Sequence, residues 1–329
     1  MTTPCGVRLL GTGSAVPETI LDNETLAKRF GVDADWIEQR SGIRERRVCG
    51  RGESVFTLEL EALRNAMDNA SVQPTDLSLI ITASVTSEMT CPSNASRLGG
   101  AIGAVPTGGF DLVAACCGFV SAMNVADSLI RAGGYETIAV VGGDCMTGIS
   151  DMHERGSAIL FGDAAGCAIL QRSDTPTEGC IYQRMNGDGT DWSSLYIPNR
   201  LDEVVEDDGF DVPLGKLRMK GKEVYKFAVN TFQDLAVETM ANTQLAVEDI
   251  AQFICHQSNA RIIESAMQKL SLPSEKVYIN IDRYGNSSSG SVSLCLDQLW
   301  RNGSISRGDT IVMLAFGGGL TWTSSVWNL

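Results

Sequence analysis

Asp76-Leu-Ser-Leu-Ile-Ile-Thr-Ala-Ser84 and Asp249-Ile-Ala-Gln-Phe-Ile-Cys-His-Gln257 are short apolar runs, each following a helical pattern that ends in polar residues, and they lie 173 positions apart. Thr137-Ile-Ala-Val-Val141 and Thr310-Ile-Val-Met-Leu314 repeat at the same distance, as do the helical segments around Met67 and Met240. Between these anchors Cys116 to Arg131 matches Asn286 to Arg301 at a distance of 170, with Asp127 opposite Asp297 and Leu129 opposite Leu299. Three extra residues before Thr310 absorb the difference. A repeat this long is no solenoid period. It predicts a duplicated α/β frame, each half alternating strands with helices, over 1–175 and 176–329.

The duplication makes Cys116 and Asn286 equivalent, each opening a helix in its own half. After Asp111-Leu-Val-Ala-Ala-Cys-Cys-Gly-Phe119, apolar residues recur at Phe119, Ala122, Met123, Ala126 and Ile130, with Val120 and Val125 widening the face. Such a helix is buried nearly all round. Its first-turn N–H groups lack partners and its dipole favours negative charge, so Cys116 is expected to tend towards thiolate and to act as a nucleophile. The competing reading is that a free cysteine is simply a small buried hydrophobe.

His256 stands just after the strand that pairs in the repeat with Leu77 to Ala83, where the first half has only Ala83. That asymmetry marks it for proton chemistry, against the alternative of a core histidine satisfied by backbone. The other histidine, His153, falls in the polar Asp151-Met-His-Glu-Arg-Gly156, before an expected strand from Ser157 to Leu160. The remaining cysteines are scattered without any C-x-x-C pair, which argues against zinc, a redox dithiol motif or a disulfide framework and fits a reducing, cytoplasmic setting.

With 329 residues and 34 glycines, the chain is long enough for its own core and suits tight-turned α/β architecture. Its opening residues lack a basic, then apolar leader, and no run is long enough to span a bilayer. A net charge of −14 disfavours nucleic acid and anionic membrane as partners. Two basic islands remain for an anionic ligand: Arg40, Arg44, Arg46 and Arg47 beside Trp36, and Lys216, Arg218, Lys220, Lys222 and Lys226. The second follows Asp202, Glu203, Glu206, Asp207, Asp208 and Asp211. Each island is either a solvated face or a phosphate contact; the acidic background tilts the reading towards phosphate.

Six segments in order resemble one family. They are Trp36-Ile-Glu-Gln-Arg-Ser-Gly-Ile-Arg-Glu-Arg46, Ala114-Ala-Cys-Cys-Gly-Phe119, Phe161-Gly-Asp-Ala-Ala-Gly166, His256-Gln-Ser-Asn-Ala-Arg-Ile-Ile263, Asp282-Arg-Tyr-Gly-Asn286 and Ala315-Phe-Gly-Gly-Gly-Leu-Thr-Trp322. Over nearly its whole length the chain resembles the β-ketoacyl-acyl carrier protein synthase III family of thiolase-like condensing enzymes. The resemblance implies a five-layered αβαβα fold, a homodimer, and initiation of fatty acid synthesis from an acyl-CoA and malonyl-acyl carrier protein. No cofactor is implied, since coenzyme A thioesters are substrates.

Carried over by position, the resemblance makes Cys116 the acylated residue and gives His256 and Asn286 the decarboxylation step. It places Trp36, Arg40, Arg155, Asn259 and Arg261 on coenzyme A, with Gly221 near the pantetheine arm. The N–H of Gly318 joins that of Cys116 in an oxyanion hole. Met89, Thr90 and Cys91 fall where the family lends a pocket wall across the dimer, and the missing aromatic near Cys91 leaves room for a longer or branched starter. Cys117 is expected to face away into packing. The acidic carrier should dock on Lys222, Lys226, Arg261 or Lys269. Elongating ketosynthases use two site histidines and biosynthetic thiolases a second cysteine in the C-terminal glycine loop; neither pattern is present. Plant-type polyketide synthases are longer and end in a different glycine loop. Three alternatives stay open: a relative in secondary metabolism making quinolones or esters, a nucleotide-binding protein using Gly11-Thr-Gly-Ser-Ala-Val16, and a silent scaffold.

Overall fold

A computed structural model describes residues 5–206 and 209–329. Asp207 and Asp208, in the acidic loop, lie outside the described residues.

Two five-stranded sheets carry the chain. The first runs in the order Gly6–Ala15, Asp163–Ser173, Thr137–Cys145, Leu79–Ala83, Gly108–Leu112. The second runs Gly179–Gly187, Thr321–Asn328, Thr310–Gly317, Gln252–Cys255, Val277–Tyr278, which is the same order one repeat later. In both, the first three strands of that order pair antiparallel and the last three pair parallel through crossovers. Leu79–Ala83 is buried at every position, as a strand covered by helices on both faces must be.

The helices supply three further layers. Val55–Ala70 and Asn94–Ile102 cover the outer face of the first sheet, where Leu58, Leu63 and Leu98 meet Ile80 and Ile169. Gly221–Thr243 and Ala260–Leu270 cover the outer face of the second, where Phe232 and Ile263 meet Phe253 and Leu314. Between the sheets lie Gly118–Arg131 and Ser289–Arg301, whose Phe119, Met123, Val292 and Leu296 share one core with Ile81, Val140, Ile254 and Met313. The result is the αβαβα stack that the family resemblance implies, built on the duplicated frame read from the repeat. Val55–Ala70 begins in a capping box between Ser54 and Thr57, and Gly118–Arg131 is buried nearly all round as its periodicity requires.

The two halves interlock through their central helices. Asp127, on the first, accepts the N–H of Cys180 at 3.1 Å, at the start of the second sheet's edge strand. Asp297, its counterpart, accepts the hydroxyls of Thr12 (2.8 Å) and Ser14 (2.6 Å) on the first sheet's edge strand.

Two local expectations fail. Ser157 to Leu160 is not a strand: Arg155–Ala158 is a helical turn because the Glu154 carboxylate accepts the N–H groups of Gly156 and Ser157. Nor is Gly11-Thr-Gly-Ser-Ala-Val16 a phosphate loop. Gly11 and Gly13 lie within a strand against Val55–Ala70, where a Cβ on Gly13 would come 2.2 Å from Ala66 N, so glycine there serves close helix–sheet packing.

Candidate active site

The strands and helices of both halves end around one cavity of about 410 Å³. Cys116, His256 and Asn286 all border it, together with Ser288 and the Gly317–Gly319 loop. The remaining wall is mostly apolar, built by residues such as Val85, Met146, Phe161, Leu217 and Phe316.

Cys116 sits in a tight turn, Ala115–Cys117, just before Gly118–Arg131. Ala115 holds φ +46°, a left-handed conformation that costs a non-glycine residue about 1–3 kcal/mol. A Cβ on Gly317 would fall 2.9 Å from both Cys116 Cβ and Cys116 N, so only glycine lets that loop approach the thiol. Cys117 points the other way, into the core between the sheets, where it accepts the Thr321 hydroxyl at 3.5 Å.

Burial opposes the expected thiolate. Burial pushes the Cys116 thiol up to about 12, and the nearby Asp144 carboxylate adds to the effect, while a hydrogen bond from Ser288 pulls the other way. Burial thus works against the N-terminal helix field at this sulfur. His256, 1% exposed, is pushed down to about 3 by burial and is neutral. The resting pair is a thiol beside a neutral imidazole.

The imidazole is oriented from its far side. Its Nδ1 lies 2.8 Å from Ser291 Oγ, which leaves Nε2 for the cavity, and Phe316 packs edge-on with ring centres 5.5 Å apart. Ser291 Oγ can donate to Ser288 O (2.9 Å) and accepts Gln257 N–H (3.3 Å). When its single proton points to Ser288 O, Nδ1 carries the ring proton and Nε2 is an acceptor; turned to Nδ1, it makes Nε2 the donor.

Asn286 is held across the halves: its N–H donates to Leu160 O (2.8 Å) and its carbonyl accepts Gly162 N–H (3.0 Å). Its side-chain oxygen accepts Ser288 N–H at 2.9 Å, which fixes the amide so that Nδ2 is left for the cavity. Ser288, at φ +52°, is the second left-handed non-glycine residue in the site.

Beneath lies a residue that sequence reasoning passed over. Asp144, fully buried, accepts Ser84 Oγ (3.0 Å), Val85 N–H (2.8 Å) and Thr86 Oγ (3.0 Å) on one oxygen, and Ser289 N–H (3.1 Å) and Oγ (2.9 Å) on the other. Burial raises its pKa against those bonds. It ties the strand ends of the first half to the helix that follows Asn286. A carboxylate closing the apolar strand Thr137–Cys145 was the available signal.

The coenzyme A candidates form a separate surface group. Arg155 and Arg40 lie 5.0 and 5.6 Å from the centre of the Trp36 ring. Asn259 Nδ2 donates to Arg40 O (3.2 Å) and Arg261 Nε to Gln39 O (3.0 Å), so both halves contribute. Gly221 starts the helix whose Val224 and Phe227 border the cavity. The rest of the first basic island is not a phosphate site. Arg46 is fully buried, donating to Leu21 O, Asn23 Oδ1 and Ile159 O, and burial lowers its pKa to about 10; Arg44 pairs with Glu38, and Arg47 donates to Pro17 O. In the second island Lys216 donates to Gly148 O and Arg218 to Val212 O.

Lys222 and Lys226 are exposed one turn apart, Lys269 donates to Gln233 Oε1 (2.5 Å) and Arg261 is paired with Glu264 (2.8 Å). Met89, Thr90 and Cys91 are exposed and are not among the residues bordering the cavity within one chain. His153 is exposed too, away from the cavity's lining. No helix among the described residues is long and apolar enough to cross a membrane.

The structure superposes with a TM-score of 0.90 on the crystal structure of 3-oxoacyl-[acyl-carrier-protein] synthase III from Aquifex aeolicus VF5, 33% identical, covering 98% of this chain and 100% of that one. That likeness defines a condensing acyltransferase of thiolase-like fold. The family models for 3-oxoacyl-[acyl-carrier-protein] synthase III match residues 110–189 and, for its C-terminal part, 240–329. A protein named β-ketoacyl-[acyl-carrier-protein] synthase III from Caldanaerobacter subterraneus subsp. tengcongensis is 39% identical over 97% of this chain and 96% of its own length. One of the same name from Rhizorhabdus wittichii is 38% identical over 95% and 96%. The chain belongs to the 3-oxoacyl-[acyl-carrier-protein] synthase III family.

Proposed function

We propose that Cys116 takes an acyl group from an acyl-CoA and passes it to the enolate formed by decarboxylation of malonyl-acyl carrier protein, giving the β-ketoacyl-acyl carrier protein that starts fatty acid synthesis. The observation that carries this reading is the convergence of Cys116, His256 and Asn286 on one apolar cavity. Because thiol and imidazole are both neutral at rest, Cys116 loses its proton as it attacks, with His256 Nε2 in its acceptor state receiving it and returning it to the departing coenzyme A. The N–H groups of Cys116 and Gly318 hold the tetrahedral oxyanion. The acyl chain then lies along the apolar wall.

Malonyl thioester follows, and loss of carbon dioxide places charge on a thioester oxygen. Asn286 Nδ2 and His256 Nε2 in its donor state hold that enolate oxygen. The enolate carbon attacks the acyl-Cys116 carbonyl, and the thiolate of Cys116 leaves and takes up one proton from solvent, replacing the one that departed with coenzyme A. Coenzyme A enters past Trp36, Arg40, Arg155, Asn259 and Arg261 with Gly221 beside its arm, and the carrier docks on Lys222, Lys226 and Lys269. Arg261, already paired with Glu264, contributes less to docking.

The working form is a homodimer in the cytoplasm. The edge strand Gly108–Leu112 has one strand neighbour, and Val105, Phe110 and Val113 on and beside it are exposed at 75, 39 and 76%. Val113 also borders the cavity, so a partner covering this edge closes the pocket, with Met89, Thr90 and Cys91 reaching the partner's side. The cavity's apolar wall suits a starter longer or more branched than acetyl. Intact-mass spectrometry after incubation with acyl-CoAs of two to ten carbons tests the reading: one acyl adduct, mapped to the Cys116 peptide, is expected, and its absence with every donor overturns it. The curated relatives' shared name gives no support to ester formation or another branch of secondary metabolism.

A further inference from the structure

Apart from Cys116, the described residues hold one other close meeting of reactive sulfur. Cys49 Sγ lies 2.9 Å from Cys145 Sγ, and both residues are half-buried rather than sealed in the core. The two come from segments 96 residues apart in the chain, the loop after Glu45–Arg47 and the end of Thr137–Cys145. One carboxylate holds that meeting in place. Asp163 accepts Cys49 N–H (2.7 Å), and also Thr147 N–H (2.9 Å) and Oγ (2.6 Å), while Cys145 N–H donates to Thr86 Oγ (2.9 Å). The backbone on both sides of the pair is thus pinned.

The cluster Cys49, Cys145 and Asp163 also has the composition of a soft metal site. The spacing argues otherwise. Two thiolates on one tetrahedral zinc, each about 2.3 Å from it, stand roughly 3.7 Å apart. These sulfurs are much closer than that, and both Asp163 oxygens are already committed to backbone and hydroxyl donors.

We propose that Cys49 and Cys145 form a second thiol site, separate from Cys116, that exchanges with low-molecular-weight disulfides to close an intramolecular disulfide and thereby reshapes the acyl cavity. The hydrogen bond with Cys49, then burial and the facing Asp163, favour the protonated Cys145 thiol, and exchange opens at Cys49, which lies in a loop whereas Cys145 ends a strand. The Cys49 thiolate bonds to one sulfur of the small disulfide and expels the other as a thiol. Cys145 then gives up its proton and attacks the Cys49 sulfur, expelling the second small thiol. Two protein thiols and one small disulfide become one protein disulfide and two small thiols. The link to the cavity is covalent: Cys145 is followed by Met146, which is 3% exposed and borders the cavity beside Val85 and Phe161.

The test incubates the full chain with oxidised glutathione, blocks remaining thiols with iodoacetamide and maps the peptides. A Cys49–Cys145 cross-link is expected, with a mass about 2 Da below the fully reduced protein before blocking. It should form equally in Cys116→Ala, reverse with dithiothreitol, and be replaced in Cys49→Ser by at most a glutathione adduct on Cys145. Glutathione persisting as a mixed disulfide on Cys49, a cross-link between Cys116 and Cys117 instead, or one equivalent of zinc retained by the pair would overturn the site. The cavity arm rests on the acylation reading above: the ratio of octanoyl to acetyl transfer onto Cys116 is expected to change at least about twofold on oxidation. A cross-link with an unchanged ratio overturns the coupling to the cavity, and absence of acylation in the reduced protein overturns the acylation reading instead.

Discussion

Ser291 Oγ stands 2.8 Å from His256 Nδ1, and Ser291 is not among the residues bordering the cavity. One hydroxyl proton, directed to the ring or to Ser288 O, decides whether the cavity-facing nitrogen donates or accepts. Acylation calls for an acceptor there and decarboxylation for a donor.

Ser291→Ala removes this control. We expect carbon dioxide release from malonyl-acyl carrier protein to fall up to about 10²-fold, with acylation of Cys116 less affected and Ser291→Thr restoring the loss. The two half-reactions are read separately, by carbon dioxide release and by intact mass. Equal losses in both would place Ser291 in a purely structural role.

A thiol raised to about 12 has a definite signature. Below that value the thiolate fraction grows tenfold per pH unit, so alkylation of Cys116 by iodoacetamide should accelerate about tenfold per unit from pH 6 to 9 without levelling off. A plateau near neutrality would reveal an ion pair with His256.

Gly317→Ala places a methyl group 2.9 Å from Cys116 Cβ and N, with backbone rather than a flexible side chain in the way. Overpacking of this kind costs about 1–3 kcal/mol. Acyl-enzyme formation is expected to drop sharply, and a thermal melt should report a smaller loss than Gly13→Ala, which drives its Cβ to 2.2 Å from Ala66 N.

Trp36→Ala strips the flat face between Arg40 and Arg155. The KM for acyl-CoA should rise roughly tenfold while kcat at saturating acyl-CoA changes little, in keeping with a cation–π and stacking contribution of about 1–2 kcal/mol. An unchanged KM would remove this surface from coenzyme A binding.

Glu59, fully buried, accepts only Asn94 Nδ2 (2.9 Å) and leaves its other oxygen without a partner, and burial raises its pKa well above the ordinary carboxylate range. The folded state therefore keeps a proton that the unfolded chain gives up. Its contribution is complete below the unfolded value and declines as pH rises towards the folded one, each unit of difference being worth about 1.4 kcal/mol. Glu59→Gln should flatten the fall in melting temperature between pH 5 and pH 8. A slope equal to the parent's would show that Glu59 ionises in place.

Much of this architecture is written in periodicity. The 173-residue repeat predicts two α/β halves of like pattern, because strand and helix patterns are local, and its segment at a distance of 170 pairs Cys116 with Asn286 before any coordinate is known. What periodicity cannot carry is long-range desolvation. The helix N-terminus behind Cys116 argues for a thiolate, yet burial by residues from both halves prevails, and the arginine-rich stretch divides into Arg46 locked in the interior and Arg40 facing Trp36. Asp144 and Ser291 escaped notice because their partners, Ser289 and His256, are 145 and 35 positions away.

The exchange of carboxylate bonds at Asp127 and Asp297 bears on how the chain acquires its order. A fragment ending near residue 175 would keep Asp127 but lose the Cys180 amide that meets it, and the complementary fragment would keep Asp297 without Thr12 or Ser14. Each would also bare the apolar side of its middle helix, including Phe119 in one case and Leu296 in the other. Symmetry here does not confer modularity: ribosomal synthesis must run almost to the last strand, Thr321–Asn328, before either copy of the pattern has a finished interior.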